Sequence, residues 1–157
     1  MRLSDIIDPD CIRVPLEATD KQGAIFELID LLADRGKISD KEMVHEAVWQ
    51  RESTRTTGIG HGLAIPHGKC DCCDGLTMAI GKPTAPIDFQ SIDGRPVRLI
   101  ILLISPVNQT GPHIQALATV SRMMTDADFR AAITNAQDAQ EVYRLLEEHD
   151  KAAAAQS

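Results

Sequence analysis

The amino-acid sequence predicts one α/β layered domain. Residues 99–104 (LIILLI) are apolar at every position, which marks a strand covered on both faces rather than one. Segments on either side carry apolar residues at helical spacing and alternate with shorter strand-like runs, the pattern of a sheet with helices packed on it. The 157 residues show no internal repeat and no linker, so one core accommodates them.

Taken in order, residues 11–14 suit a short first strand. Thr19 opens a first helix in a capping box with Gln22, and Ile25, Leu28, Ile29 and Leu32 form its inner stripe. Gly36 is its expected stop. Ser39 with Glu42 repeats the box for a second helix, with Met43, Ala47 and Val48 inward and an end near Gln50 or Arg51. Residues 51–62 are polar and glycine-bearing and read as a loop. Residues 63–65, 76–81 and 97–105 read as strands, 87–89 as a further short one, and Asp93-Gly94 as a turn. Pro112 suits the first turn of a third helix, with Ile114, Leu117, Ala118, Ser121 and Met124 at helical spacing. Thr125 with Asp128 starts a fourth, bearing Phe129, Ala132 and Ile133. A fifth begins near Asp138, with Val142, Leu145 and Leu146 inward. The domain is expected over residues 1–150, with 151–157 as a flexible tail.

Composition excludes several functions. Only 1 Trp, 1 Tyr and 3 Phe are present, so aliphatic side chains must build the core. A net charge of −7 argues against nonspecific binding to nucleic acid or to an anionic membrane. No apolar run approaches the roughly 20 residues needed to span a bilayer. The opening MRLSDIIDPD lacks the apolar region of a secretory signal, and a cytoplasmic location is expected.

Residues 56–69, TTGIGHGLAIPHGK, carry the chemistry. A glycine-rich loop leads into a short apolar strand, which meets Pro66 and ends on His67 with Gly68 behind it. A neutral imidazole mounted there is a competent nucleophile near pH 7. Attack on phosphorus would give a phosphohistidine, a species suited to a relay. Phosphoryl transfer then needs cations, hydrogen-bond donors and shelter from water. Arg51 and Arg55 offer guanidinium groups. Thr56 and Thr57 offer hydroxyls, and the amides around Gly58 and Gly60 offer further donors. His113 stands at the start of the third helix, where N–H groups favour anions and the helix end should lower its pKa. His61 is a polar turn residue near the site. His45 and His149 fall among charged helix residues and are expected to face solvent.

The segment RESTRTTGIGHGLAIPHGK (residues 51–69) closely resembles the phosphorylation-site region of fructose–mannitol type IIA domains of the bacterial phosphoenolpyruvate-dependent phosphotransferase system, nearest the nitrogen-regulatory branch. SIDGRPVRLIILLISP (91–106) and NQTGPHIQALATV (108–120) match it as well. The resemblance implies a mixed β-sheet flanked by helices on both faces. It implies His67 as phosphoryl acceptor, Arg51 as a holder of phosphoryl oxygens and His113 as the second active-site histidine. The implied donor is HPr or its nitrogen-branch counterpart, with no metal and no organic cofactor. Either a regulatory protein that contacts targets such as kinases or transporters is implied, or a sugar-specific component that passes phosphate to a IIB domain. The regulatory reading is favoured.

Two features depart from the family pattern. His61 sits where the nitrogen branch often has asparagine. The run CDCC (70–73) follows Lys69, and Cys70 with Cys73 has CxxC spacing. The four cysteines, Cys11, Cys70, Cys72 and Cys73, are expected to be thiols. A Cys/His metal or redox module built on this run, and a binding module with an unphosphorylated histidine, are the competing readings.

Overall fold

The computed structural model describes residues 1–155. Six strands form one mixed sheet: β1 (Ile12–Leu16), β2 (Gly58–Gly60), β3 (Leu63–Ala64), β4 (His67–Lys69), β5 (Thr77–Pro83) and β6 (Leu99–Ser105). Their order is β1-β5-β6-β3-β2, and β4 also pairs with β6. Five helices cover the sheet: α1 (Lys21–Asp34), α2 (Lys41–Thr54), α3 (Thr110–Met123), α4 (Ala127–Thr134) and α5 (Ala139–Ala155).

β6 is the spine, and its alternation divides the single core expected from the sequence into two, one on each face of the sheet. Ile100, Leu102 and Ile104 face one way with Leu28, Ile29, Leu32, Val44 and Val48 of α1 and α2. Leu99, Ile101 and Leu103 face the other way with Ala116, Val120, Ile133, Val142 and Leu146 of α3, α4 and α5. Each face of a strand takes every second residue, so an unbroken apolar run serves both layers. The expected central strand with helices on both sides is therefore what forms.

β3 and β4 lie end to end along one edge of β6, both parallel to it. Leu63 and Ala64 pair with Leu99 and Ile100, while His67, Gly68 and Lys69 pair with Leu103, Ile104 and Ser105. Pro66 has no N–H to give the ladder and marks the break, while its carbonyl still accepts from the Leu103 amide at 3.0 Å.

Several expectations are corrected. Asp20, Asp40 and Asp126 cap α1, α2 and α4, each one residue past the expected Thr19, Ser39 and Thr125. Ser39 is occupied elsewhere, its amide and hydroxyl both donating to the Cys72 carbonyl. Thr125 Oγ1 donates to the Arg122 carbonyl. α2 continues to Thr54, so the loop expected from Arg51 begins four residues later. Its inner face is Val44 and Val48, and Met43 is exposed. α3 is rotated from the expected phase: His113, Ala116, Val120 and Met123 are buried, and Ile114 is exposed. The segment expected to form a strand at 87–89 makes only a single antiparallel bridge, Ile87 with Val97. His45 and His149 do not simply face solvent. His45 stacks on Phe26 at 4.0 Å between centroids and hydrogen-bonds Asp30, and His149 tilts against Phe129. Of the tail expected over 151–157, α5 includes residues up to Ala155, and positions 156 and 157 lie outside the described residues. No helix among the described residues is long and apolar enough to cross a membrane.

One buried carboxylate ties the chain's two ends together. Asp150 of α5 accepts from the Leu3 amide at 3.2 Å, the Ser4 amide at 2.9 Å and the Ser4 hydroxyl at 2.6 Å. Asp150→Ala strands the buried Leu3 N–H and should cost roughly 1–3 kcal/mol, read as a lower urea midpoint with an unchanged slope.

Candidate active site

Strand alternation assembles the site. β4 runs parallel to β6 with His67 opposite Leu103 and Lys69 opposite Ser105. Leu103 belongs to the α3 side of the sheet. His67 and Lys69 therefore project toward α3, and so does Ser105. Gly68, between them, faces α2. A Cβ built there would lie 3.0 Å from Val48 Cγ2, so glycine lets β4 press onto α2.

His67 is half-buried, and its Nδ1 lies 2.8 Å from the carbonyl oxygen of Ile65. A carbonyl oxygen only accepts, so Nδ1 carries the hydrogen and Nε2 holds the free lone pair. The ring of His113 stands edge-on to it, with centroids 5.4 Å apart and planes at 63°. His113 is buried, and its Nδ1 lies 2.6 Å from Ser105 Oγ. When the hydroxyl donates to Nδ1, the His113 hydrogen sits on Nε2.

Both rings are held neutral. Burial lowers the pKa of His67, the Ile65 hydrogen bond opposes the shift, and the Arg51 charge lowers it further. Burial pushes the pKa of His113 down to about 4, with further lowering from His67, Lys69 and Arg51. The expected direction at His113 is met, and burial is its leading cause. α3 begins at Thr110, and the His113 amide already donates to the Gln109 carbonyl inside the helix.

The structure brings Arg51, His67 and His113 into one electrostatic neighbourhood and adds Lys69, whose Nζ donates to Thr110 Oγ1 at 3.0 Å. Arg55 is exposed at the end of α2 and is not among the charges acting on either ring. The expected donors of the preceding loop are already engaged. Thr57 gives its amide and its hydroxyl to Glu52, at 3.0 and 2.6 Å. Thr56 Oγ1 donates to the Phe89 carbonyl, and Gly58 N donates to Thr56 Oγ1. Gly60 pairs with Leu63 across the β2–β3 turn. His61 sits in that turn with φ 58° and gives its amide to Asp93.

Sequence reasoning missed Glu52, Ser105 and Lys69. Glu52 is 3% exposed and forms an ion pair with Lys21 Nζ at 2.8 Å while holding Thr57. It thus fixes the chain where α2, which carries Arg51, turns into β2. Nothing in its polar helix distinguishes it. Lys69 and Ser105 were legible only as alternate positions of strands, and β4 was not recognised as one.

The cysteines depart from expectation. Cys70 and Cys72 form a disulfide, and Cys11 and Cys73 are free. The turn after β4 brings Cys70 and Cys72 to a Cα–Cα distance of 5.3 Å, within bonding reach. Cys73 points its Sγ at the Cys70 carbonyl instead. No group of three or more His, Cys, Asp or Glu side chains among the described residues is placed to hold a metal ion.

A mixed sheet that offers two facing neutral imidazoles beside cations defines a domain suited to handling phosphoryl groups. Residues 5–149 match the family model of the phosphoenolpyruvate-dependent sugar phosphotransferase system, EIIA 2, and the chain belongs to that family. It is 34% identical over 146 residues to a nitrogen regulatory protein of Bradyrhizobium diazoefficiens, spanning 93% of this chain and 95% of that relative. It is 28% identical over 151 residues to the fructose-specific EIIABC component of Bacillus subtilis, covering 96% of this chain but only 24% of that longer protein. The solved structure of nitrogen regulatory protein IIA-Ntr from Neisseria meningitidis matches with a TM-score of 0.85 at 30% identity, over 92% of this chain and 98% of that one. Family membership implies phosphotransfer.

Glu52→Ala leaves the Lys21 charge and the Thr57 amide without their partner and should cost about 3–5 kcal/mol in denaturant unfolding. The low pKa of His113 has a signed consequence. Its folded value, about 4, lies below the ordinary 6.5, so between them the unfolded chain binds a proton that the native chain does not. Stability should be complete above about pH 6.5 and fall toward pH 4, by up to about 1.4 kcal/mol per pH unit. His113→Gln should flatten that acid limb in a pH series of urea midpoints.

Proposed function

We propose that the chain is a phosphocarrier that accepts a phosphoryl group on Nε2 of His67. The donor is a phosphorylated HPr or a nitrogen-branch HPr-like carrier. The hydrogen bond from Nδ1 to the Ile65 carbonyl carries this reading, because it leaves Nε2 as the ring's free lone pair beside His113. In the step, that lone pair forms the new N–P bond. The P–N bond to the carrier's imidazole breaks, and its electron pair returns to the carrier's nitrogen. Nδ1 of His67 keeps its hydrogen throughout, and the Ile65 oxygen stabilises the ring as positive charge develops.

The phosphoryl group carries negative charge over three oxygens, so positioning and charge do most of the catalysis. Arg51 and Lys69 supply the cations, and His113 donates from Nε2 with Ser105 holding its other nitrogen. Thr56, Thr57, Gly58 and Gly60 act as the frame that fixes the loop, and Arg55, exposed and away from both rings, has no part in the step. Exposed Val107 and Ile114, which follow Ser105 and His113 in the chain, suit a small apolar contact with the carrier.

We assign the chain a regulatory role, in the cytoplasm, in which a change of roughly −1.5 to −2 in charge at His67 alters contacts with targets such as kinases or transporters. Similarity to a nitrogen regulatory protein along nearly the full length of both chains supports this. Similarity to a fructose-specific EIIABC component supports a second reading, transfer onward to a IIB domain.

Incubation with phosphoenolpyruvate, enzyme I and each carrier should place one alkali-stable, acid-labile phosphoryl group on this chain. His67→Ala should remove it. A label elsewhere, or none from any carrier, refutes the assignment. Arg51→Ala should slow labelling roughly ten- to hundredfold, the rate equivalent of losing a charged hydrogen bond worth about 1.5–3 kcal/mol, with the fold intact by circular dichroism. Unchanged rates would remove Arg51 from the site. Passage of the label to an added IIB domain would select the sugar-transport reading.

A further inference from the structure

At the opposite end of β6 from His67, a cavity of about 520 Å³ opens between the β2–β3 turn, the start of β6 and α4. Arg95, Arg98, Arg130 and His61 line it, with Ala127, Ala131 and Pro96 as its small apolar walls. No carboxylate lines it. Three guanidinium groups around one concavity are out of keeping with a chain of net charge −7. Like charges that line one concavity repel one another, and an anion relieves that repulsion.

The donors are free for such an anion. Among the described residues, no hydrogen bond or ion pair engages the side chain of Arg95 or Arg98; their backbone amides donate to Asp93 and Gly62. Arg130 spends Nη1 on the Met124 carbonyl at 2.8 Å and keeps its other donors. The nearby carboxylates are committed to amides: Asp93 accepts from His61 N and Arg95 N, and Asp126 caps α4. The carbonyl end of α4 would disfavour an anion, but Lys82 Nζ caps it, donating to Thr134 O at 2.7 Å and Ala136 O at 2.6 Å. Gly62 holds the turn at φ +74°, and the side-chain carbons of Arg98 lie in ordinary contact range, 3.7–3.8 Å from where a Cβ would stand.

We propose that this cavity binds a compact small-molecule anion carrying two or more phosphoryl groups. Its volume falls in the range of small-ligand sites, about 300–1,000 Å³. Guanidinium forks match phosphoryl oxygens in bidentate geometry, and three of them exceed what one phosphoryl group requires. The walls offer no Phe, Tyr or Trp on which a nucleobase would stack, so recognition rests on the phosphoryl groups. About five residues of β6 separate Arg98 from the partner of His67, roughly 16 Å at strand spacing, so the cavity is a site apart from the histidine pair.

Calorimetric titration of the full chain at low salt tests this, with inorganic pyrophosphate, ADP and inorganic monophosphate as probes. Pyrophosphate and ADP should bind one per chain with similar affinity, and at least tenfold more tightly than monophosphate. Arg98→Gln should weaken both by tenfold or more, whereas Arg35→Gln, a charge-matched change elsewhere, should not. Amide shifts on pyrophosphate addition should centre on Gly62, Arg95 and Arg98. Failure of pyrophosphate to saturate, equal loss in Arg35→Gln, or shifts centred on residues 67–69 would overturn the proposal. His67 labelling is a separate readout, so neither result decides the other.

Discussion

The hydrogen bond between the His67 ring and the Ile65 carbonyl is the constraint on which the site depends. It is local, spanning two residues, yet it requires the long-range sheet to exist. Pro66 breaks the ladder between β3 and β4, and the Ile65 backbone faces the β2 side, where its amide donates to Thr57 and its carbonyl accepts from the ring. Pairing of β4 with β6 then aims the ring at α3. A single contact thus sets the tautomer and orientation of one imidazole, and the fold supplies everything that faces it.

The charge environment follows from the same geometry. Burial removes water from both rings and keeps them neutral, while Arg51 and Lys69 bring positive charge close by. The combination is one of opposites: cations make the site attractive to anionic oxygens and simultaneously discourage protonation of His67, the proposed nucleophile. Glu52 belongs to this balance at one remove. Buried against Lys21, it holds the turn from α2 into β2 and leaves Arg51, one residue earlier, on the outside of the helix.

Much of this was legible in the sequence, and what escaped notice has physical reasons. LIILLI reported a two-faced central strand because each alternate residue meets a different core. His67, Arg51 and His113 stood in recognisable motifs, and the structure gathers them. The helix caps were misplaced by one residue at Thr19, Ser39 and Thr125 because a hydroxyl and an aspartate stood side by side each time, and the aspartate took the cap. The inner face of α3 was misjudged because an apolar stripe was sought, whereas the inward place at its start belongs to a histidine bonded to Ser105. β4 was invisible because proline before it and glycine within it look like a turn. Glu52 was invisible because a buried charge in a polar helix leaves no periodic trace. The reduced state expected of Cys70 and Cys72 came from compartment, whereas the turn brings the two together.

The protonation state of His67 is the most direct measure of the central claim. Long-range proton–nitrogen spectra of the imidazoles, recorded near pH 7, separate a protonated ring nitrogen from one with a free lone pair. The account requires Nδ1 of His67 to be protonated and Nε2 to be bare, with Nε2 shifting when the chain is phosphorylated. A His67 ring protonated on Nε2, or carrying both protons at that pH, would contradict it.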